Sequence, residues 1–180
     1  GAKTTLRSPK VLPEVVIYDP EMTYSLPTAM SITSGINAIA HAIEALYAQD
    51  KNPVSSMLAE EGATALIDAL PLIAKDQFDA QAREKAFYGS WLCGTVLGNV
   101  GMALHHKLCH TLGGMFDLPH AETHTVVLPH AVAYNEMQVP ELLMPIANAL
   151  NAESAGSGLF ALAQQLDAPT SLAELGMPEH

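Results

Sequence analysis

From about Pro27 onward the apolar residues of this chain return at the helical period, and almost nowhere do they alternate as a half-buried strand would. Met30, Ile36, Ile39, Ile43 and Leu46 form a first stripe, which predicts a helix over Pro27–Ala48 with Gly35 inside it. Pro53 suits the first turn of a second helix, running through Met57, Leu58, Ala65 and Leu66 to the segment around Pro71. Asp79 is a natural N-cap for a third, carrying Phe87, Trp91 and Leu92 towards Gly98. A fourth is expected over Met102–Leu112, with Gly113-Gly114 as its end. Shorter helices follow around 122–134, 139–150 and 156–166. The one strand-like run is Val15-Val16-Ile17-Tyr18, closed by Asp19-Pro20. The expected fold class is therefore all-α, with a short extended lead-in.

Composition limits what such a body can do. Of its 180 residues 49% are hydrophobic and 15% charged, the balance of a packed protein rather than a disordered one. Nineteen acidic residues oppose eight basic ones, a net charge of −11, and no Lys/Arg run occurs, which argues against nucleic acid or an anionic membrane as partner. Cys93 and Cys109 make no disulfide framework and no Cys-x-x-Cys pair, so reduced thiols and a cytoplasmic location are expected. The longest apolar run, Trp91–Leu104, is too short to span a bilayer and reads as a buried helix.

The chemistry concentrates in histidines. Five fall between positions 105 and 124, among them His106-x3-His110-x9-His120. His106 and His110 project from one helix face about a turn apart. Asn37-x3-His41 repeats that spacing on another helix, and a groove between the two would gather all the side chains into one site. His105 points about 100° away from His106 and is read as structural, while His130 and His180 are read as structural or solvent-exposed residues. His124, four residues after His120, is a possible further member, and Glu44, at i+3 from His41, is a candidate partner orienting that imidazole. Lys107 is read as a solvated side chain and Cys109 as a buried, inert thiol. A non-catalytic, metal-sequestering helical bundle stays open as an alternative at this point.

The combination of Leu12-Pro13 and Val16-Ile17-Tyr18-Asp19-Pro20, Ser34-Gly35-Ile36-Asn37 through Ala45, His106 through Gly113, Leu118-Pro119-His120 and Leu128-Pro129-His130 resembles the iron-containing alcohol dehydrogenase superfamily, closest to its maleylacetate-reducing branch. The resemblance implies the multi-helix domain of the dehydroquinate synthase-like, iron-containing alcohol dehydrogenase fold. Residues 1–26 would then be the end of a nucleotide-binding domain and its linker, and 27–180 a helical catalytic domain, incomplete at its C-terminus. It implies NADH or NADPH held mainly by an N-terminal nucleotide-binding domain, a small dicarboxylate substrate, and a homodimer when complete. The isolated chain is expected to be inactive. Family positions for Fe²⁺ or Zn²⁺ fall on His41, His106 and His120, and the position of the fourth ligand, an aspartate, falls on Asn37. The resemblance also places His110 on a further active-site histidine. An amide is a poorer ligand than a carboxylate, so a metal is not expected to be required. His41, His110, His120 and Asn37 are the expected catalytic set. A metal-dependent alcohol or glycerol dehydrogenase is the alternative within the superfamily.

Overall fold

The computed structural model describes residues 8–11 and 13–178, so Leu12 and His180 lie outside the described residues. Two 3-10 turns, Pro9–Val11 and Pro20–Thr23, precede α1 (Thr28–Leu46), α2 (Pro53–Lys75), α3 (Ala80–Asn99), α4 (Leu104–Phe116), α5 (His120–Glu136), α6 (Pro140–Ala149) and α7 (Ala155–Gln165). No strand occurs among the described residues, and none of their helices is long and apolar enough to cross a membrane. Val15–Tyr18 has no regular secondary structure, with Val15 77% and Ile17 85% exposed. A β-branched run becomes a strand only when another backbone completes its ladder. Here Tyr18 instead sets its ring edge-on against Phe87 of α3.

Helix α1 is the axis of the body and packs against α2, α3, α5 and α6. Ile39, Ala40, Ala42, Ile43 and Ala45 are wholly inaccessible, because small residues between the isoleucines let neighbours close in from several sides. Met30, Met57 and Trp91, counted into apolar stripes from sequence, face outward instead. Caps set several boundaries. Asn52 and Ser55 form a reciprocal capping box at the start of α2, and the Asp79 carboxylate accepts from Ala82 N–H at the start of α3.

Trp91–Leu104 is not one helix. Helix α3 ends at Asn99, and Gly101 N–H is held by the Asp50 carboxylate at 3.0–3.1 Å, which turns the chain so that α4 starts afresh at Leu104. Helix α4 in turn runs through Gly113-Gly114 to Phe116 and stops where Asp117 adopts φ 53°, so an aspartate, not a glycine, takes the left-handed cap position.

Two glycines permit a close approach of α2 and α3. A β-carbon on Gly89 of α3 would lie 2.8 Å from Leu66 Cγ and 2.9 Å from the Gly62 carbonyl oxygen on α2, and one on Gly62 would meet Cys93 Sγ at 3.0 Å. One added methyl must push the two backbones apart. Gly89→Ala is therefore expected to destabilise the protein by about 1–3 kcal/mol despite alanine's better helix propensity, read as a lower urea midpoint. An unchanged or raised midpoint would show that the α2–α3 contact has slack.

Candidate active site between three helices

The site is organised by a buried carboxylate. Glu44, near the C-terminal end of α1, is inaccessible to solvent. Its Oε1 accepts from His105 N–H at 2.7 Å, and its Oε2 from Ala103 N–H at 2.8 Å and from His106 Nδ1 at 2.7 Å. Ala103 offers no side-chain cap, so Glu44 caps α4 from across the core. Burial opposes its charge, yet the hydrogen bonds from His106, Ala103 and His105 outweigh that and hold its carboxyl below the usual range. The sequence reading assigned Glu44 to His41. The structure gives it to His106, because the side chain is drawn to the free N–H groups that open α4.

That contact fixes a tautomer. A carboxylate accepts, so His106 Nδ1 carries the proton and Nε2 faces away from Glu44. His106 Nε2 is buried and has no hydrogen-bond partner among the described residues. Behind it, His105 is fully buried and donates from Nε2 to the His124 carbonyl at 3.0 Å, which ties α4 to α5 and agrees with a structural role. Cys109 is buried beside His105, with its thiol pushed up to about 12 by burial, as expected of an inert group.

The imidazoles form a row with its most buried members in the middle. The His41 ring lies 4.2 Å from that of His106, His106 4.8 Å from His124, and His124 4.3 Å from His120. His110 completes the row, 6.1 Å from His106 and 6.4 Å from His120, with its ring nearly parallel to the latter. His106 and His124 are buried, His41 is half-buried, and His110 and His120 are exposed, so the cluster opens at the α4–α5 end. The expected site histidines His41, His106, His110 and His120 thus come together. Asn37 stands one turn before His41 on α1, half-buried, with Oδ1 lacking a partner among the described residues.

His124 is the residue that sequence reasoning underweighted. It sits at the centre of the row, fully buried, and neither ring nitrogen has a hydrogen-bond partner among the described residues. Its i+4 spacing from His120 was the available signal. Met102 was missed as a partner altogether: its Sδ lies 3.4 Å from His41 Nδ1. Lys107 is exposed, as read.

Burial, reinforced by neighbouring imidazoles, lowers His41 to about 4 and His124 to about 2, and burial also lowers His105 to about 4. These rings are neutral at pH 7, able to offer a lone pair or an N–H. In the unfolded chain they titrate near 6.5, so below that pH protons bind the unfolded state more than the folded one. Their contribution is complete above that value and is lost as pH falls towards 4. Urea unfolding with a chelator present is expected to give a stability lower by on the order of 2 kcal/mol or more at about pH 5 than at about pH 7.5. A flat profile would mean that the rings take up protons without unfolding.

The body is thus an all-helical domain that gathers imidazoles from three helices around one opening, a class of site that offers nitrogen ligands and N–H donors together. Residues 31–180 match the Fe-containing alcohol dehydrogenase family, C-terminal domain, and the chain belongs to that family. It is 62% identical over 177 residues to the maleylacetate reductase of Rhizobium sp. (strain MTP-10005), a span of 98% of this chain and 50% of that relative. To the maleylacetate reductase of Sphingobium indicum it is 59% identical over 179 residues, 99% of this chain and 51% of the relative. The crystal structure of maleylacetate reductase from Agrobacterium tumefaciens superposes with a TM-score of 0.95 at 61% identity, covering 99% of this chain and 51% of that one. The chain thus spans about half the length of the curated relatives it matches.

The family name implies iron, and the residues present fit a divalent ion. His106 Nε2 and Asn37 Oδ1 are buried without partners, His41 is held neutral, and Glu44 fixes the outer nitrogen of His106 as a carboxylate does behind a ligating histidine. With Asn37 in the set the first ligands are all neutral, which favours nitrogen-preferring ions and holds them less tightly than a carboxylate would.

Proposed function

We propose that this chain supplies the helical half of the active site of a maleylacetate reductase, a cytoplasmic NAD(P)H-dependent enzyme that converts maleylacetate to 3-oxoadipate in the breakdown of aromatic compounds. On this reading residues 1–26 end a nucleotide-binding domain and its linker, residues 27–180 are the helical catalytic domain, and the complete enzyme is a homodimer. The observation that carries it is the row of imidazoles opening at His110 and His120, with an amide at Asn37, on a chain 62% identical to a maleylacetate reductase.

When bound, NAD(P)H supplies hydride to the substrate's carbon–carbon double bond. That bond is conjugated to a ketone, so reduction places negative charge on the ketone oxygen as an enolate. His41, held neutral, and the solvent-exposed His110 and His120 are suited to hold that oxygen or a substrate carboxylate through N–H donors, and one of them returns a proton to carbon. Asn37 donates its amide to a carboxylate that an aspartate would repel. A delocalised enolate does not need the Lewis acid that an unactivated alcohol does, so no step depends on a metal. His41, His106 and His120, with Asn37, would hold Fe²⁺ or Zn²⁺ if one binds, and it would supply charge at the same oxygen.

One specific observation favours the alternative, a metal-dependent alcohol or glycerol dehydrogenase: the unpartnered, carboxylate-backed His106 Nε2. The full-length enzyme separates the two. His110→Ala and His120→Ala are each expected to lower the rate of maleylacetate reduction by about 10² or more, with NADH affinity little changed. Near-normal turnover in both variants, or alcohol oxidation that tracks stoichiometric bound iron or zinc, would overturn the proposal.

A further inference from the structure

A second cavity lies away from the histidines, between the Pro20–Thr23 turn, α1, α2 and α3. It has a volume of about 190 Å³. Its wall is mostly apolar, with Leu66, Leu70, Ile73 and Phe87, and none of its lining residues belongs to the imidazole row. One charged side chain lines it. Arg83 is 4% exposed, buried almost as deeply as the leucines around it.

No carboxylate is paired with that arginine among the described residues. Its Nη1 donates to Ser31 Oγ at 2.8 Å and its Nε to the Gln77 carbonyl at 3.0 Å, both neutral acceptors. Its Nη2 is buried with no partner among the described residues. A guanidinium always carries its charge, and burying it opposite neutral groups alone is costly unless something anionic completes the set. Ser34 and Ser90 also line the cavity and add hydroxyl groups to its wall, whereas the Ser31 hydroxyl already donates to the Pro27 carbonyl and accepts from Arg83. Apart from Thr23, whose hydroxyl donates to the Pro20 carbonyl, most of the remaining lining is hydrocarbon. Cavities of about 150 Å³ hold a benzene ring, so the space matches a ligand of that bulk.

We propose that this cavity binds a small monocarboxylate with a flat apolar body, the carboxylate meeting Arg83, Ser34 and Ser90 and the body lying against Leu66, Leu70 and Phe87. Both halves of the wall are then used: a hydrocarbon alone leaves the guanidinium uncompensated, and an inorganic anion leaves the leucine and phenylalanine faces bare.

Benzoate is the probe, with benzyl alcohol as the uncharged control of equal ring size. Full-length protein is titrated by calorimetry and by ring-proton saturation transfer. Benzoate is expected to bind saturably at one site per chain, and benzyl alcohol at least tenfold more weakly. Arg83→Met should remove the preference for the charged ligand. Because a buried arginine can be needed for folding, Ser90→Phe is the second variant: it fills the cavity while leaving both hydrogen bonds of Arg83 in place, and should lower benzoate affinity at least tenfold with an unchanged melting curve. Absence of saturable benzoate binding, equal binding of benzyl alcohol, or benzoate affinity unaltered in Ser90→Phe would each overturn the proposal. None of these readouts depends on reductase activity, so they stand apart from the assignment of the histidine site.

Discussion

A buried carboxylate is among the least comfortable groups to place inside a protein, and the three-helix site depends on how Glu44 is satisfied. Left unpaired it would cost several kcal/mol. Two backbone N–H groups and one imidazole, all from the start of α4, meet it at 2.7–2.8 Å. The same contacts set where α4 begins, how it sits against α1, and which nitrogen of His106 faces the other imidazoles. His105 then carries the constraint to α5 through the His124 carbonyl. One side chain on the central helix thereby aligns the three elements that carry the site.

What that alignment produces is a graded cluster. In the middle of the row His124 and His106 are buried and His124 is held far below the pH at which an imidazole charges, while His110 and His120 at the open end meet solvent. With His41 and His124 held neutral, the row packs with centroids as near as 4.2 Å. The arrangement supplies donors and lone pairs without fixed positive charge, which suits an oxygen that becomes anionic during reaction or a cation that needs nitrogen ligands. Asn37 extends the neutrality along α1.

Much of this was legible from spacing. The i,i+4 pairs Asn37/His41 and His106/His110 required only that their segments be helical, and the periodicity of α1 and α4 made that clear. His120 also took its expected place. Long-range partners were not legible. Glu44 finds His106 across 62 residues of chain, and no local rule prefers that over the nearer His41. His124 looked ordinary because its importance lies in a burial that only the packing of α4 on α5 creates. Boundaries failed where tertiary contacts overrode local signals. Gly113-Gly114 stayed helical, Asp50 and Glu44 broke an apolar run into α3 and α4, and Val15–Tyr18 remained unpaired because no strand among the described residues completes a ladder with it.

The Glu44 clamp is open to direct observation through the imidazole nitrogens of His106. Long-range proton–nitrogen correlation spectra of the labelled protein distinguish the two neutral tautomers, with His106→Gln providing the assignment. The account predicts a His106 signal protonated at Nδ1, and its loss or exchange broadening in Glu44→Gln, where an amide replaces the carboxylate and α4 loses its charged cap. A His106 ring protonated at Nε2 alone, or one unchanged by Glu44→Gln, would contradict the claim that this carboxylate organises the site.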